Sequence, residues 1–150
     1  MRFVIAGSRD LDEELCFNFL CELNENNHAL AKATQIVSGK APGADRAGEL
    51  YADNLSLSVK PFPAKWDDLT VPGAVIKINK YGKKYNAKAG HDRNKDMAVY
   101  CDAGVVLMKK GGSPGSKDMI KLLEVNNKVV YVFELNKNNK FVNVSLGLFE

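Results

Sequence analysis

Two short stretches of this chain hold the residue types that phosphate chemistry uses. Ser38–Asp45 reads SGKAPGAD and Gly111–Asp118 reads GGSPGSKD. Each follows an apolar run, contains Pro-Gly and enters a helical pattern. A glycine-rich turn of this kind leaves backbone N–H groups free at a helix N-terminus, where anions bind. Ser38, Gly39, Gly43 and Ala44 in the first turn are therefore candidates to hold phosphate or ribose. Gly112, Gly115 and Ser116 are the candidates in the second. A phosphate beside Asp45 would be repelled, so this carboxylate is assigned to the ribose end, where it can accept hydroxyl hydrogen bonds or assist glycosidic cleavage. Asp45 reads equally as compensation of its helix dipole, worth about 0.3–1 kcal/mol. Glu49, four residues on, shares its helical face as a second ligand contact. It reads equally as an ion-pair partner of Arg46 or Lys65.

Three further segments sit where loops leave strands. AGSRD (6–10) offers Gly7, Ser8 and Arg9, whose guanidinium fork suits a phosphate. An ordinary contact of Arg9 with Asp10 or Asp12 is the alternative. FPAKWDD (62–68) holds Trp66, suited to stacking on a base or to anchoring the core or a lid. GHDRN (90–94) contributes Arg93 and Asn94, the latter to read a base edge or cap its helix. None of these segments has the order of a Walker loop, and GSRDLD lacks the later glycines of the dinucleotide fingerprint. With two histidines and three cysteines in no Cys-x-x-Cys pair, neither a metal site nor a cofactor is expected.

The elements that must position these residues follow from periodicity. Apolar runs at 2–7, 35–39, 57–63, 103–108 and 128–135 alternate with helical patterns at 11–23, 42–54, 91–101 and 114–126. Pro42 stands at a plausible first helical position. NENN (24–27) interrupts the first helix, and 66–90 shows no clear periodicity. The tail at 140–149 adds a last strand through the turn NKNN. Fully apolar strands separated by helices mean a parallel sheet covered on both faces. The expected fold is α/β, a Rossmann-like three-layer α/β/α arrangement with a mainly parallel sheet. Such sheets bind ligands beyond the carboxyl ends of their strands.

Bulk properties agree with one domain over 1–150. The chain is 45% apolar and 26% charged, with a net charge of +3, too weak to argue for nucleic acid by itself. MRFVIAG reads as a first strand rather than a signal peptide, and no apolar run approaches the ~18 residues that span a bilayer. The unpaired cysteines Cys16, Cys21 and Cys101 read as reduced thiols of a cytoplasmic protein with no membrane partner.

The series AGSRD, VSGKAPGAD, FPAKWD, GHDRNKDM and GGSPGSKDMI resembles the SLOG superfamily of Rossmann-like nucleotide-binding proteins. Within it, the chain looks like the short YspA/YpsA-related branch of bacteria and phages, over roughly residues 2 to 133. More distantly it is similar to the "lonely guy" phosphoribohydrolases, which cleave the N-glycosidic bond of nucleoside monophosphates. Arg93, Met97, Asp102 and Ala103 match that family's Arg-x-x-x-Met and Asp-Ala spacings, so the resemblance makes Arg93 catalytic. Met119 stands where those relatives carry their catalytic glutamate, and Asp118 lies one residue off, about 100° around a helix. The resemblance thus implies a nucleotide or nucleotide-derived ligand; hydrolysis is expected with Asp45, Arg93 and Asp118 as catalytic candidates, and a homo-oligomer, a dimer among the options, is expected. A non-catalytic sensor or sponge for an ADP-ribose-type signal is the alternative that the missing glutamate favours. Residues 69–89 look like an insertion relative to the family pattern, with Lys77, Lys80, Lys83, Lys84 and Lys88 interleaved with Tyr81 and Tyr85. This basic segment reads as a solvated loop, as a lid, or as a single-strand binding surface. Nucleic acid is the partner least expected.

Overall fold

The computed structural model describes residues 1–145. It is an α/β protein built on a six-stranded sheet. β1 (Arg2–Gly7), β2 (Gln35–Ser38), β3 (Ser58–Pro61), β6 (Ala103–Met108) and β7 (Val129–Leu135) run parallel, and β8 (Phe141–Asn143) pairs antiparallel with β7. Their spatial order is β3-β2-β1-β6-β7-β8. The chain therefore turns back between β1 and β6, and loops after these two strands diverge to leave a crevice at the carboxyl edge.

Helices α1 (Glu13–Glu25) and α2 (Ala44–Asn54) pack together on one face of the sheet. Helices α3 (Ala89–Tyr100) and α4 (Pro114–Val125) pack together on the other. Alternation along β1 explains the two cores: Phe3 and Ile5 join Leu20, Leu30, Ile36 and Tyr51 on one face. Val4 and Ala6 join Met97, Val106, Met119 and Leu123 on the opposite face. Each helix start has a chemical cause. The Leu15 N–H donates to Asp12 Oδ1 at 2.9 Å to cap α1. The Ser116 N–H donates to Ser113 Oγ at 3.2 Å to cap α4, with Pro114 at its first position.

The expected order of strands and helices is the observed one, with four local differences. Helix α2 begins at Ala44, because Gly43 takes φ 77° as its N-cap and Pro42 stays outside. At Gly43 a Cβ would also lie 2.6 Å from the Arg9 carbonyl oxygen, so the turn after β2 closes only around glycine. Strand β3 is shorter than 57–63, ending at Pro61 on the exposed edge of the sheet. The segment without periodicity contains an antiparallel hairpin of β4 (Ile76–Ile78) and β5 (Lys84–Asn86). The NKNN turn forms as expected, with the Asn136 N–H donating to the Lys140 carbonyl at 2.8 Å. The last strand, however, stops at Asn143, and the rest of that expectation, 146–149, lies outside the described residues. Among the described residues no helix is long and apolar enough to cross a membrane.

Candidate functional site

A cavity of about 630 Å³ opens at the carboxyl ends of β1 and β6. Its walls are the starts of α2, α3 and α4, so three helix N-termini converge on one space. Gly7 enters from the end of β1, Ser8 and Arg9 from the loop after it, and Asp45 from the first turn of α2. Trp66 comes from the loop after β3, Arg93 and Asn94 from α3. Gly115, Ser116 and Asp118 complete it from α4. Residues some fifty to a hundred positions apart are thus gathered by the reversal of strand order.

Ser38, Gly39, Gly43, Ala44, Glu49 and Gly112 do not line this cavity. Gly43 shapes the turn, as described. Gly39 works from behind: a Cβ there would lie 2.5 Å from Arg93 Nη1 and 2.8 Å from Asp45 Oδ2. The glycine is the space that lets this Arg–Asp couple sit together. Glu49 faces away from Asp45's space. Its Oε2 accepts from Ser38 Oγ at 2.6 Å, and its Oε1 meets Lys40 Nζ at 2.8 Å and Arg46 Nη1 at 3.4 Å. Burial alone would raise the Glu49 pKa, but hydrogen bonds from Lys40 and Ser38 hold it below the ordinary value. The alternative pairing with Arg46 is the one present, with Lys40 in place of Lys65 and the carboxylate buried rather than in solvent. Gly112 belongs to the turn after β6 and packs against Met108.

The electrostatics are set by burial. Asp45 is only 5% exposed, and desolvation pushes its carboxyl up to about 6. The Ala41 N–H, which donates to Asp45 Oδ2 at 3.3 Å, and the nearby Arg93 and Arg9 charges all oppose that rise. Desolvation likewise lowers the Arg93 pKa, with Asp45 pulling the other way and Arg9 adding to the fall. Arg93 Nη1 donates to the Gly39 carbonyl, and its Nε donates to Asn94 Oδ1 at 3.0 Å. The guanidinium of Arg9 lies 5.6 Å from the centre of the Trp66 ring. It contacts neither expected neighbour: Asp10 pairs with Lys109 at 3.0 Å and Asp12 caps α1.

Asn94 lines the cavity with its amide already hydrogen-bonded within the protein. Its Nδ2 donates to Asp118 Oδ2 at 3.1 Å, while His91 Nδ1 meets Asp118 Oδ1 at 2.8 Å. A continuous chain therefore runs from Gly39 through Arg93, Asn94 and Asp118 to His91. Sequence reasoning missed His91, together with Ala41 and Ser113, among the lining residues. His91 stood in the GHDRN segment, yet nothing in sequence spacing couples it to a carboxylate 27 residues later. Met119 is 1% exposed and joins the apolar core where it borders the cavity. Among the described residues no cluster of three or more His, Cys, Asp or Glu is placed to hold a metal ion.

These features define a Rossmann-like α/β protein with its cavity at the switch point of the sheet. No protein-family model matches the chain, and no curated protein does. A solved structure of DNA processing protein A (DprA) from Streptococcus pneumoniae shares the fold, with a TM-score of 0.58 at 20% identity. The superposition covers 87% of this chain and 49% of that one, so the chain spans about half the length of that protein.

Proposed function

We propose that this chain is a SLOG-type protein that binds a nucleotide or nucleotide-derived ligand in the cavity and hydrolyses its N-glycosidic bond. One observation carries the reading: a buried carboxylate, Asp45, shares a cavity with two arginines and a half-buried tryptophan. Arginine forks recognise phosphate, the Trp66 ring offers a stacking face, and Asp45 stands where positive charge would develop on the ribose. Breaking the C1′–N bond creates an oxocarbenium-like centre, which an ionised Asp45 stabilises. Nothing at the Asp45 end obliges phosphate to sit beside a carboxylate, since Arg9 and the N-terminus of α4 lie along the same cavity.

A second reading is a sensor or sponge that binds the same ligand without turnover. Met119 favours it, because an apolar core residue stands at the position of the relatives' acid. The two are separated by offering nucleoside 5′-monophosphates and ADP-ribose, recording melting temperature and released base by chromatography. The hydrolase reading expects stabilisation of the folded state together with free base, and Asp45→Asn that still binds but no longer releases it. Tight binding with the ligand recovered intact leaves the sponge.

A further inference from the structure

We infer that His91, oriented by Asp118, is the proton-transfer group of this cavity, so that Asp118 positions an imidazole rather than stabilising the ribose directly. The inference rests on the nucleotide reading above and deepens it. Asp118 has both carboxylate oxygens engaged: Oδ2 accepts from Asn94 Nδ2 at 3.1 Å and Oδ1 lies 2.8 Å from His91 Nδ1. A carboxylate is an acceptor only, so the imidazole must donate from Nδ1. Asn94 is fixed in turn, since its Oδ1 accepts from Arg93 Nε at 3.0 Å. Its amide can therefore present only its NH₂ to Asp118, and the orientation of the carboxylate is imposed from α3 as well as from α4.

With Nδ1 committed, Nε2 has no protein hydrogen-bond partner among the described residues, and His91 lines the cavity. A carboxylate that locks a histidine tautomer and supports the imidazolium is the arrangement that general acid–base chemistry needs. Hydrolysis of an N-glycoside has one proton to deliver and one to remove. The C1′–N bond breaks, its electron pair passes to the base, and the base takes the proton from Nε2 of the imidazolium. Water adds to C1′ and gives its proton to the Asp45 carboxylate, and both residues return to their starting states by exchange with solvent. The structure thus assigns the leaving-group end to α3 and α4 and the ribose end to α2. It also accounts for a cavity that lacks the relatives' acid, because a histidine on the neighbouring helix, paired with Asp118, supplies the proton.

The chain has only two histidines, which makes the orientation directly measurable. His28 Nδ1 accepts from the Leu30 N–H at 3.0 Å, so neutral His28 must carry its proton on Nε2. Nitrogen-detected NMR of the ligand-free protein at alkaline pH should show opposite tautomers, Nε2–H for His28 and Nδ1–H for His91. Asp118→Asn should abolish the His91 preference and leave His28 unchanged. An Nε2–H tautomer at His91 in the unsubstituted protein overturns the inference whatever the protein binds. In the base-release assay, with adenosine and guanosine 5′-monophosphates as probes, His91→Ala should lower kcat by about 100-fold or more, keep the nucleotide-induced rise in melting temperature, and recover with added imidazole. Asp118→Asn should lower kcat about tenfold and displace the pH profile with KM within about twofold. Base release that His91→Ala leaves within about threefold overturns the proton-transfer role while the nucleotide reading stands. Binding with no release by the unsubstituted protein overturns it equally, and the sponge remains. A melting temperature unmoved by either nucleotide sinks both.

Discussion

Burial holds the Asp45 carboxyl near 6, well above an ordinary aspartate, although Arg93 and Arg9 lie close by. Since the folded protein binds this proton more tightly than the unfolded chain does, the associated stability is fully present below the ordinary carboxylate value and is lost as pH rises through about 6. The difference from the ordinary value of 3.8 corresponds to about 3 kcal/mol. Asparagine has no such titration. The melting temperature of the unsubstituted protein minus that of Asp45→Asn should therefore fall by roughly 5–10 °C between about pH 4 and pH 7. Taking the difference cancels carboxylates such as Glu49 and Asp102, whose lowered pKa values act in the opposite direction. A difference that stays flat across this window would show that Asp45 is solvated. Met119 makes a second residue-scale test. Restoring the relatives' acid by Met119→Glu places a carboxylate among Met97, Val106 and Leu123. Its expected first effect is a lower melting temperature at neutral pH, easing as the pH falls and the new carboxyl takes up a proton. A variant as stable as its parent would mean that the cavity wall there admits water.

At the scale of elements, the two glycine-rich turns are not equivalent. Gly43 has φ 77° and no room for a side chain, whereas a Cβ at Gly115 meets no atom within 4 Å. Gly43→Val should destabilise the whole fold and reveal nothing about ligands. Gly115→Val adds its bulk at the cavity wall in the first turn of α4. It should keep the melting temperature of the parent and weaken nucleotide affinity about tenfold or more, measured by calorimetry. Unchanged affinity would remove the N-terminus of α4 from the site. This asymmetry marks how far the sequence could be read. The succession of strands and helices along the chain was legible because apolar runs such as RFVIAG and AGVVLM must be buried on both faces of a parallel sheet. The gathering of Ser8, Asp45, Arg93 and Ser116 at one edge followed from the same topology. Which motif residues face the cavity was not legible. Ser38 and Glu49 are tied to each other and to Lys40 and Arg46, contacts between the end of β2, its loop and α2 that spacing along the chain does not reveal. The hairpin of β4 and β5 was hidden because its three-residue strands show no alternation in burial.

At the scale of the whole molecule, two features compete to govern what is bound, the surface charge and the cavity. The net charge of +3 is spread, and the basic segment 69–89 stands beside the cavity rather than in it: Ala87 alone of that segment lines the wall. Lys83 pairs with Asp67 at 3.0 Å across an exposed surface, and Lys80 lies 5.1 Å from the centre of the Tyr81 ring. Ion pairs at such exposure contribute about 0–1 kcal/mol and leave the lysines free to exchange partners. Ile76, Ile78 and Tyr81 project from the same hairpin into solvent, so its surface mixes apolar and basic groups as a single-strand platform would. The likeness to DNA processing protein A extends to the fold, and its name concerns that protein alone. If the cavity governs, replacing Lys80, Lys83 and Lys84 by Gln should change nucleotide affinity by less than about threefold, since none of them reaches the site. Affinity for a short single-stranded DNA should then be micromolar or weaker, because a few solvated lysines neutralise few phosphates. Fluorescence anisotropy over a range of salt concentrations decides the matter. Nanomolar DNA binding, a logarithmic salt slope steeper than about −3, and loss of both in the triple variant would move the function from the cavity to the hairpin. The three helix N-termini at the switch point would then be the scaffold of a nucleic-acid surface rather than a pocket for a nucleotide.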